Sequence, residues 1–156
     1  MNTLIIQPKS YDYEVKGVRA SQPYTQTDFI VDGVGLGEIF DFEKDRPWFG
    51  QTRFETSEKT RKIYLDQLLG HSESDNQFKT KRYVLYGCHC GCDYCGVLSC
   101  RIERTDNSVF WKDIRYEDDT ESGVYDMGSQ TIEMFEFELN QYDQTIIQYF
   151  EFLSGQ

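Results

Sequence analysis

The stretch Tyr83-Val-Leu-Tyr86-Gly-Cys-His-Cys-Gly-Cys-Asp-Tyr-Cys-Gly96-Val-Leu-Ser-Cys-Arg-Ile102 governs how the rest of the chain is read. An apolar run enters a turn crowded with glycine and cysteine, and a second apolar run leaves it. Aromatic and β-branched runs joined by a glycine-rich connection are the sequence form of antiparallel strands. Thr105-Asp-Asn-Ser108 then turns the chain into Val109-Phe-Trp-Lys-Asp-Ile114, so the centre predicts a three-strand meander.

Upstream of this centre, Leu4-Ile5-Ile6 reads as a short strand ended by Pro8, and Tyr11, Tyr13, Val15 and Val18 as a second strand with a bulge at Gly17. Asp28-Phe-Ile-Val31 followed by Asp32-Gly33 predicts a hairpin, because Asp-Gly supplies the positive φ angles of a tight turn. Gly33, Gly35 and Gly37 do not form a phosphate-binding fingerprint, and Asp32, Glu38, Asp41 and Glu43 beside them disfavour an anion. Asp45-Arg46-Pro47-Trp48-Phe49-Gly50 reads as a loop with an aromatic anchor.

Thr56 or Ser57 caps a predicted helix with Glu58 in its first turn, Leu65, Leu68 and Leu69 on its apolar face and Gly70 at its end. His71 to Asn76 is the most loop-like segment, and any mobility is expected there. Downstream, Ile132 and Met134 differ in parity from Phe135, Phe137 and Leu139, which predicts a bulge near Met134 if all five share one face. Asn140 is the expected cap of a last helix whose stripe is Tyr142, Ile146, Tyr149, Phe150 and Leu153. The expected fold is α+β: one domain over residues 1–156, a mainly antiparallel twisted sheet with two helices packed on it, about 57–69 and 141–153.

Twenty-seven Asp and Glu against sixteen Lys and Arg give a net charge of −11. That charge repels nucleic-acid backbone and anionic lipid and favours a basic protein partner. The N-terminus lacks a basic region followed by an apolar run, which predicts a cytoplasmic chain whose thiols stay reduced. Five cysteines, an odd number, argue against a disulfide framework.

Cys92-Asp-Tyr-Cys95 has the spacing with which two thiolates grip one zinc, and Cys88 and Cys90 lie near enough to complete four ligands. Against zinc, no second cysteine pair comes from a distant segment, and buried cysteine also serves as a small apolar residue. Thiol redox chemistry is disfavoured by Asp93 inside the motif and by the strand that follows it. His71 and His89 stand in no nucleophile–base pattern. Asp113, Tyr116, Glu117, Asp118, Asp119, Glu121 and Tyr125 combine carboxylates with rigid rings, the composition of a steered protein interface. The alternative reading of that segment is a solvated acidic loop.

From Tyr83 to Tyr116 the chain resembles a loosely defined group of small bacterial proteins with a Cys-x-Cys-Gly turn, a second Cys-Gly and a hairpin ending in Trp-x-Asp. That resemblance implies no activity and transfers no functional residue. In size and charge the chain also resembles the immunity proteins of contact-dependent growth inhibition systems, which neutralise a toxin domain, commonly a basic nuclease. The expectation is therefore a non-catalytic acidic protein that neutralises a basic partner such as a toxin domain, with no cofactor. The alternative is a zinc-binding domain or metalloenzyme using Cys88, Cys90, Cys92 and Cys95.

Overall fold

A computed structural model describes residues 1–11, 14–15, 18–19, 24–39, 49–88, 92–117, 124–125 and 134–155. In chain order the elements are β1 (Leu4–Tyr11), β2 (Glu14–Val15), β3 (Val18–Arg19), β4 (Tyr24–Val31), β5 (Val34–Gly35), α1 (Leu36–Ile39), β6 (Phe49–Gln51), α2 (Glu58–Leu68), β7 (Tyr83–Cys88), β8 (Val97–Arg104), β9 (Ser108–Glu117), β10 (Val124–Tyr125), β11 (Met134–Glu138) and α3 (Leu139–Ser154). Single 3-10 turns at Arg53–Glu55 and Asp93–Cys95 complete the order. The fold is α+β, and among the described residues every strand pair is antiparallel except an isolated parallel bridge between Asn2 and Phe137.

The expected meander is present as β7–β8–β9 and is the centre of the larger sheet, ordered β10-β9-β8-β7-β6. The outer edge of β9 is shared, because its first half pairs with β11 and its last two residues with β10. A register shift opposite β8 leaves Asp113 and Ile114 facing Cys100, with Asp113 at φ +56°. This bulge turns the Asp113 backbone and carboxylate toward Arg82.

The smaller sheet, β1-β4-β5, contains the Asp-Gly hairpin, with Asp32 at φ +52° and Gly33 at φ +85°. Pro8 does not end β1, which continues to Tyr11 and pairs Pro8 with Thr27. The physical reason is parity: Asp32 N–H donates to Thr3 O at 3.0 Å, so even-numbered residues of β1 point their backbone groups away from β4. A proline there removes no bond from the ladder. The expected single strand through Val15 and Val18 is instead a pair of short strands, β2 and β3, registered Val15 to Val18. Tyr13, Gly17, residues 40–48 (with Trp48) and Ile132 lie outside the described residues.

One apolar cluster joins both sheets to the helices: Leu4, Ile6, Phe29 and Val31 meet Tyr86, Leu98, Trp111, Phe137, Tyr142 and Ile146. Trp111 is its pivot, with edge-on rings of Phe29, Phe137 and Tyr142 around it. Its indole N–H donates to Tyr142 Oη at 3.2 Å, and that hydroxyl donates to Leu68 O at 3.1 Å. Burial raises the Tyr142 pKa, so the phenol stays protonated as a donor.

Ser57 caps α2 by accepting from Thr60 N–H, and Gly70 closes it at φ +79°. The expected bulge in β11 is absent: Met134 to Glu138 pair with β9 without a shift, Met134 faces outward, and Phe135 and Phe137 face in. Plain alternation buries both phenylalanines and leaves methionine outside. Helix α3 begins two residues earlier than expected, capped by Glu138 rather than Asn140; the Glu138 carboxylate accepts the N–H groups of Asn140 and Gln141. Tyr142, Ile146 and Tyr149 form its buried face as expected.

Candidate functional site

The cysteine turn is shaped by a carboxylate and a guanidinium. Asp93, nearly buried, accepts both oxygens' bonds from Arg53 Nη2 at 2.9 Å, and also accepts the Gln77 N–H at 2.9 Å. Asp93 N–H returns a bond to Gln77 Oε1 at 2.6 Å, and Arg53 Nη1 reaches Asp75 at 2.8 Å. Fork-to-carboxylate pairing of this kind fixes orientation as well as charge. The loop expected to be loosest, residues 71–76, is thereby stitched down; Asn76 is buried and Ser74 donates to Arg82 O at 2.6 Å. Around the turn Cys88 and Cys92 are half-buried, Cys95 is exposed and Cys100 lies in the core. Burial pushes the Cys100 thiol well above its ordinary range, opposed only in part by Arg82, so it packs as a neutral apolar group. His89 and Cys90 lie outside the described residues. Among the described residues no three side chains of His, Cys, Asp or Glu gather as a metal site.

The acidic-aromatic segment is divided by its environment. Glu117 is wholly buried: its carboxylate accepts from Ser99 Oγ at 2.6 Å and Thr80 Oγ1 at 2.8 Å, with Arg82 Nε 3.8 Å away. Tyr116 lies under Gly96, at φ +116°, where an added Cβ would come within 2.6 Å of the ring carbon that bears the hydroxyl. These two residues are therefore corrected from contact surface to core. Asp113 is held by Arg82 at 3.2 Å and by Arg115. Those guanidinium contacts outweigh its desolvation and hold its carboxyl below the usual range. Asp118, Asp119 and Glu121 lie outside the described residues, and Tyr125 is described only as backbone paired with Tyr116.

Charge is distributed unevenly along the chain. Residues 116–156 contain ten Asp and Glu and no Lys or Arg, whereas residues 1–115 contain seventeen acids against sixteen bases. Nearly the whole net charge thus belongs to the last quarter of the chain, a pattern visible in the sequence once charge is counted by segment. Some of these carboxylates are used internally: Glu117 as above, Asp143 against Arg104 at 2.8 Å, and Glu136 accepting from Ser108 Oγ at 2.8 Å. Glu138, at the end of β11, and Glu151, on α3, are exposed.

A groove of about 370 Å³ runs between β1 and α3, lined by Leu4, Ile5, Ile6, Gln141, Thr145, Gln148, Tyr149 and Phe152. Ile5 and Phe152 are 46% and 52% exposed, large apolar side chains presented to solvent on opposite walls. Phe152 stacks on Tyr149 at a centroid distance of 5.9 Å, and the Tyr149 hydroxyl is 2.7 Å from Thr27 Oγ1, so that wall is anchored to the smaller sheet. Gln141 Nε2 donates to Leu4 O at 2.8 Å and ties the two walls together.

Comparison with protein-family models, with curated proteins and with solved structures returns no match for this chain. Among the described residues no helix is long and apolar enough to cross a membrane.

Proposed function

We propose that this is a non-catalytic acidic binding protein that occupies and blocks a basic protein partner, an immunity protein against a toxin nuclease being the form that fits best. One observation carries the reading: residues 116–156 hold ten carboxylates and no cation, on a body that is otherwise nearly neutral. A carboxylate surplus of this kind steers encounter with a cationic surface and speeds association. It also matches the electrostatics of a nuclease, whose substrate-binding face must be basic. Burial takes Asp93 and Glu117 out of solvent, and guanidinium partners match the charges of Asp113 and Asp143. Among the described residues after Arg115 the exposed carboxylates are Glu138 and Glu151, while Asp118, Asp119 and Glu121 belong to the interface expected from the sequence.

Capture from the source cell, followed by reconstitution with the purified partner, tests this reading. The expected result is a stoichiometric complex with a basic protein whose affinity falls steeply between about 50 and 500 mM salt. The triple variant Asp118→Asn/Asp119→Asn/Glu121→Gln is expected to bind about tenfold or more weakly, mainly through slower association. If the partner is a nuclease, its hydrolytic activity is lost in the complex. A complex indifferent to salt and to the triple variant, or no basic partner at all, overturns the reading.

A further inference from the structure

The cysteine turn holds a pair of thiols for which a basic partner has no need. We propose that Cys92 and Cys95 form a reversible disulfide by exchange with a low-molecular-weight disulfide such as glutathione disulfide, which makes the turn a redox-sensitive modification site. This pairing goes beyond the binding reading and does not depend on it.

The backbone already has the shape such a bond requires. Cys95 N–H donates to Cys92 O at 3.3 Å, closing a single turn of 3-10 helix over Asp93–Cys95. A reversal of this kind brings its first and fourth Cα atoms within about 7 Å, and a disulfide spans about 4.4–6.8 Å between Cα atoms. Residues three apart also project to one side of a 3-10 turn. Cys95 is exposed and Cys92 half-buried, so an incoming disulfide meets Cys95 first and Cys92 stands behind it. Cys100 faces the apolar core and does not compete.

The residue between them removes the objection that the sequence raises. Asp93, expected to disfavour a thiolate, is nearly buried, and both of its oxygens accept from Arg53 Nη2 at 2.9 Å. One of them also accepts the Gln77 N–H at 2.9 Å. A charge matched by a guanidinium fork repels a neighbouring thiolate far less than a bare carboxylate does. The same contacts fix the turn. Asp93 N–H donates to Gln77 Oε1 at 2.6 Å, the Tyr94 hydroxyl donates to Gln77 O at 3.1 Å, and the Tyr94 ring meets Phe78 edge-on at 5.3 Å. Both residues enclosed by the cysteine pair are thus held by Gln77 and Phe78, and a turn shaped in advance lowers the ordering cost of an intramolecular step.

The exchange has two steps. The Cys95 thiolate attacks one sulfur of glutathione disulfide, an S–S bond forms to Cys95, and one glutathione thiolate departs. The Cys92 thiolate then attacks the Cys95 sulfur, forming the Cys92–Cys95 bond and expelling the second glutathione thiolate. The two protons lost by the cysteines are taken up by the departing thiolates. Two cysteine thiols are oxidised, and one glutathione disulfide is reduced to two glutathione molecules.

The full chain, equilibrated in mixtures of glutathione and its disulfide, is quenched in acid, alkylated at its remaining thiols and digested with a protease that cuts before aspartate. One cut falls between Cys92 and Asp93, so a Cys92–Cys95 bond leaves two peptides joined, and fragmentation locates the bonded sulfurs. That joined pair is expected as the dominant product, returning to thiols when reduced glutathione is added. Cys92→Ser is expected to stop the exchange at a glutathione adduct on Cys95. Cys95→Ser is expected to abolish the joined pair and to slow glutathione incorporation about tenfold. The joined form is expected to melt about 2–5 °C above the reduced form, a rise that neither variant shows. Near-ultraviolet circular dichroism matching the parent verifies that both variants fold. A bond that instead uses Cys88, Cys90 or Cys100 overturns the assignment, and so do Cys92 and Cys95 thiols that remain alkylatable in pure glutathione disulfide.

Discussion

The end of β9 and the outer face of α3 have the same ingredients and opposite fates. Asp113, Tyr116 and Glu117 combine carboxylates with an aromatic ring, as do Glu138, Tyr149, Glu151 and Phe152. The first group turns inward, where Tyr116 and Glu117 are within 5% of full burial; in the second, Glu138, Glu151 and Phe152 face water. What separates them is the reach of guanidinium groups. Arg82 lies 3.2 Å from Asp113 and 3.8 Å from Glu117, whereas among the described residues no Lys or Arg pairs with Glu138 or Glu151, and Arg104 reaches only Asp143 on that helix. A carboxylate enters a protein interior only with its charge matched and its lone pairs filled. Composition alone therefore marks an acidic segment without saying which side of the surface it occupies.

Removing the matching cation is the most severe way to break this contrast. Arg82→Met leaves Glu117 buried without its countercharge and strips Ser99 of the Arg82 bonds at 3.0 Å to its hydroxyl and carbonyl. The expected loss is about 3–5 kcal/mol in urea unfolding, with much of it recovered by adding Glu117→Gln. A mild loss that the second substitution does not repair would mean that Glu117 is not held as a buried charge. Gly96→Ala tests the neighbouring ring. The new methyl group collides with Tyr116 at a backbone angle that favours glycine, for an expected cost of about 2 kcal/mol. Tyr116→Phe in the same chain removes the colliding hydroxyl and is expected to return part of that stability. Purely additive effects would place the ring elsewhere.

This contrast also explains what the sequence disclosed. Local rules recovered the Asp32-Gly33 hairpin, the Ser57 cap, the meander from Tyr83 to Ile114 and the buried face of α3, because each depends on neighbours within a few residues. Pro8 within β1 was not legible, since its tolerance depends on which edge of β1 faces β4, where its partner Thr27 lies 19 residues away. The bulge expected near Met134 is absent, and the one at Asp113 was not legible, because Arg82 from another strand entrance holds the backbone there. The burial of Glu117 depends on Thr80, Arg82 and Ser99, none adjacent to it in sequence. The groove was invisible for the same reason, although the missing cations after Arg115 could have been counted.

Within α3, Glu138 and Glu151 refine the comparison on a smaller scale, because both are outward and only one has local work. Glu138→Ala removes the acceptor of two N–H groups at the start of the helix and is expected to destabilise by about 1 kcal/mol. Glu151→Ala touches no such bond and is expected to fall within about 0.5 kcal/mol of the parent. Equal losses in thermal unfolding would show that net charge, rather than the cap, sets the cost.

Glu55 stands between the two groups and yields the smallest effect. It is half-buried at the end of the 3-10 turn, where burial pushes its carboxyl above the usual range and hydrogen bonds from Thr27 oppose that only in part. A carboxyl raised in this way binds its proton more tightly folded than unfolded. Its contribution to stability is therefore fully present below the unfolded value, near pH 4.3, and is lost as pH rises through the higher folded value. Glu55→Gln keeps an oxygen for the Thr27 N–H and abolishes the charge. The variant is expected to melt slightly above the parent at pH 7, the gap closing as pH falls below about 4. Solvent screening keeps the difference small for a group only partly covered. A gap of opposite sign, with the parent more stable at pH 7, would mean that the ionised carboxylate is held by a charge-assisted bond, and Glu55 would then belong with Glu117 rather than between the two groups.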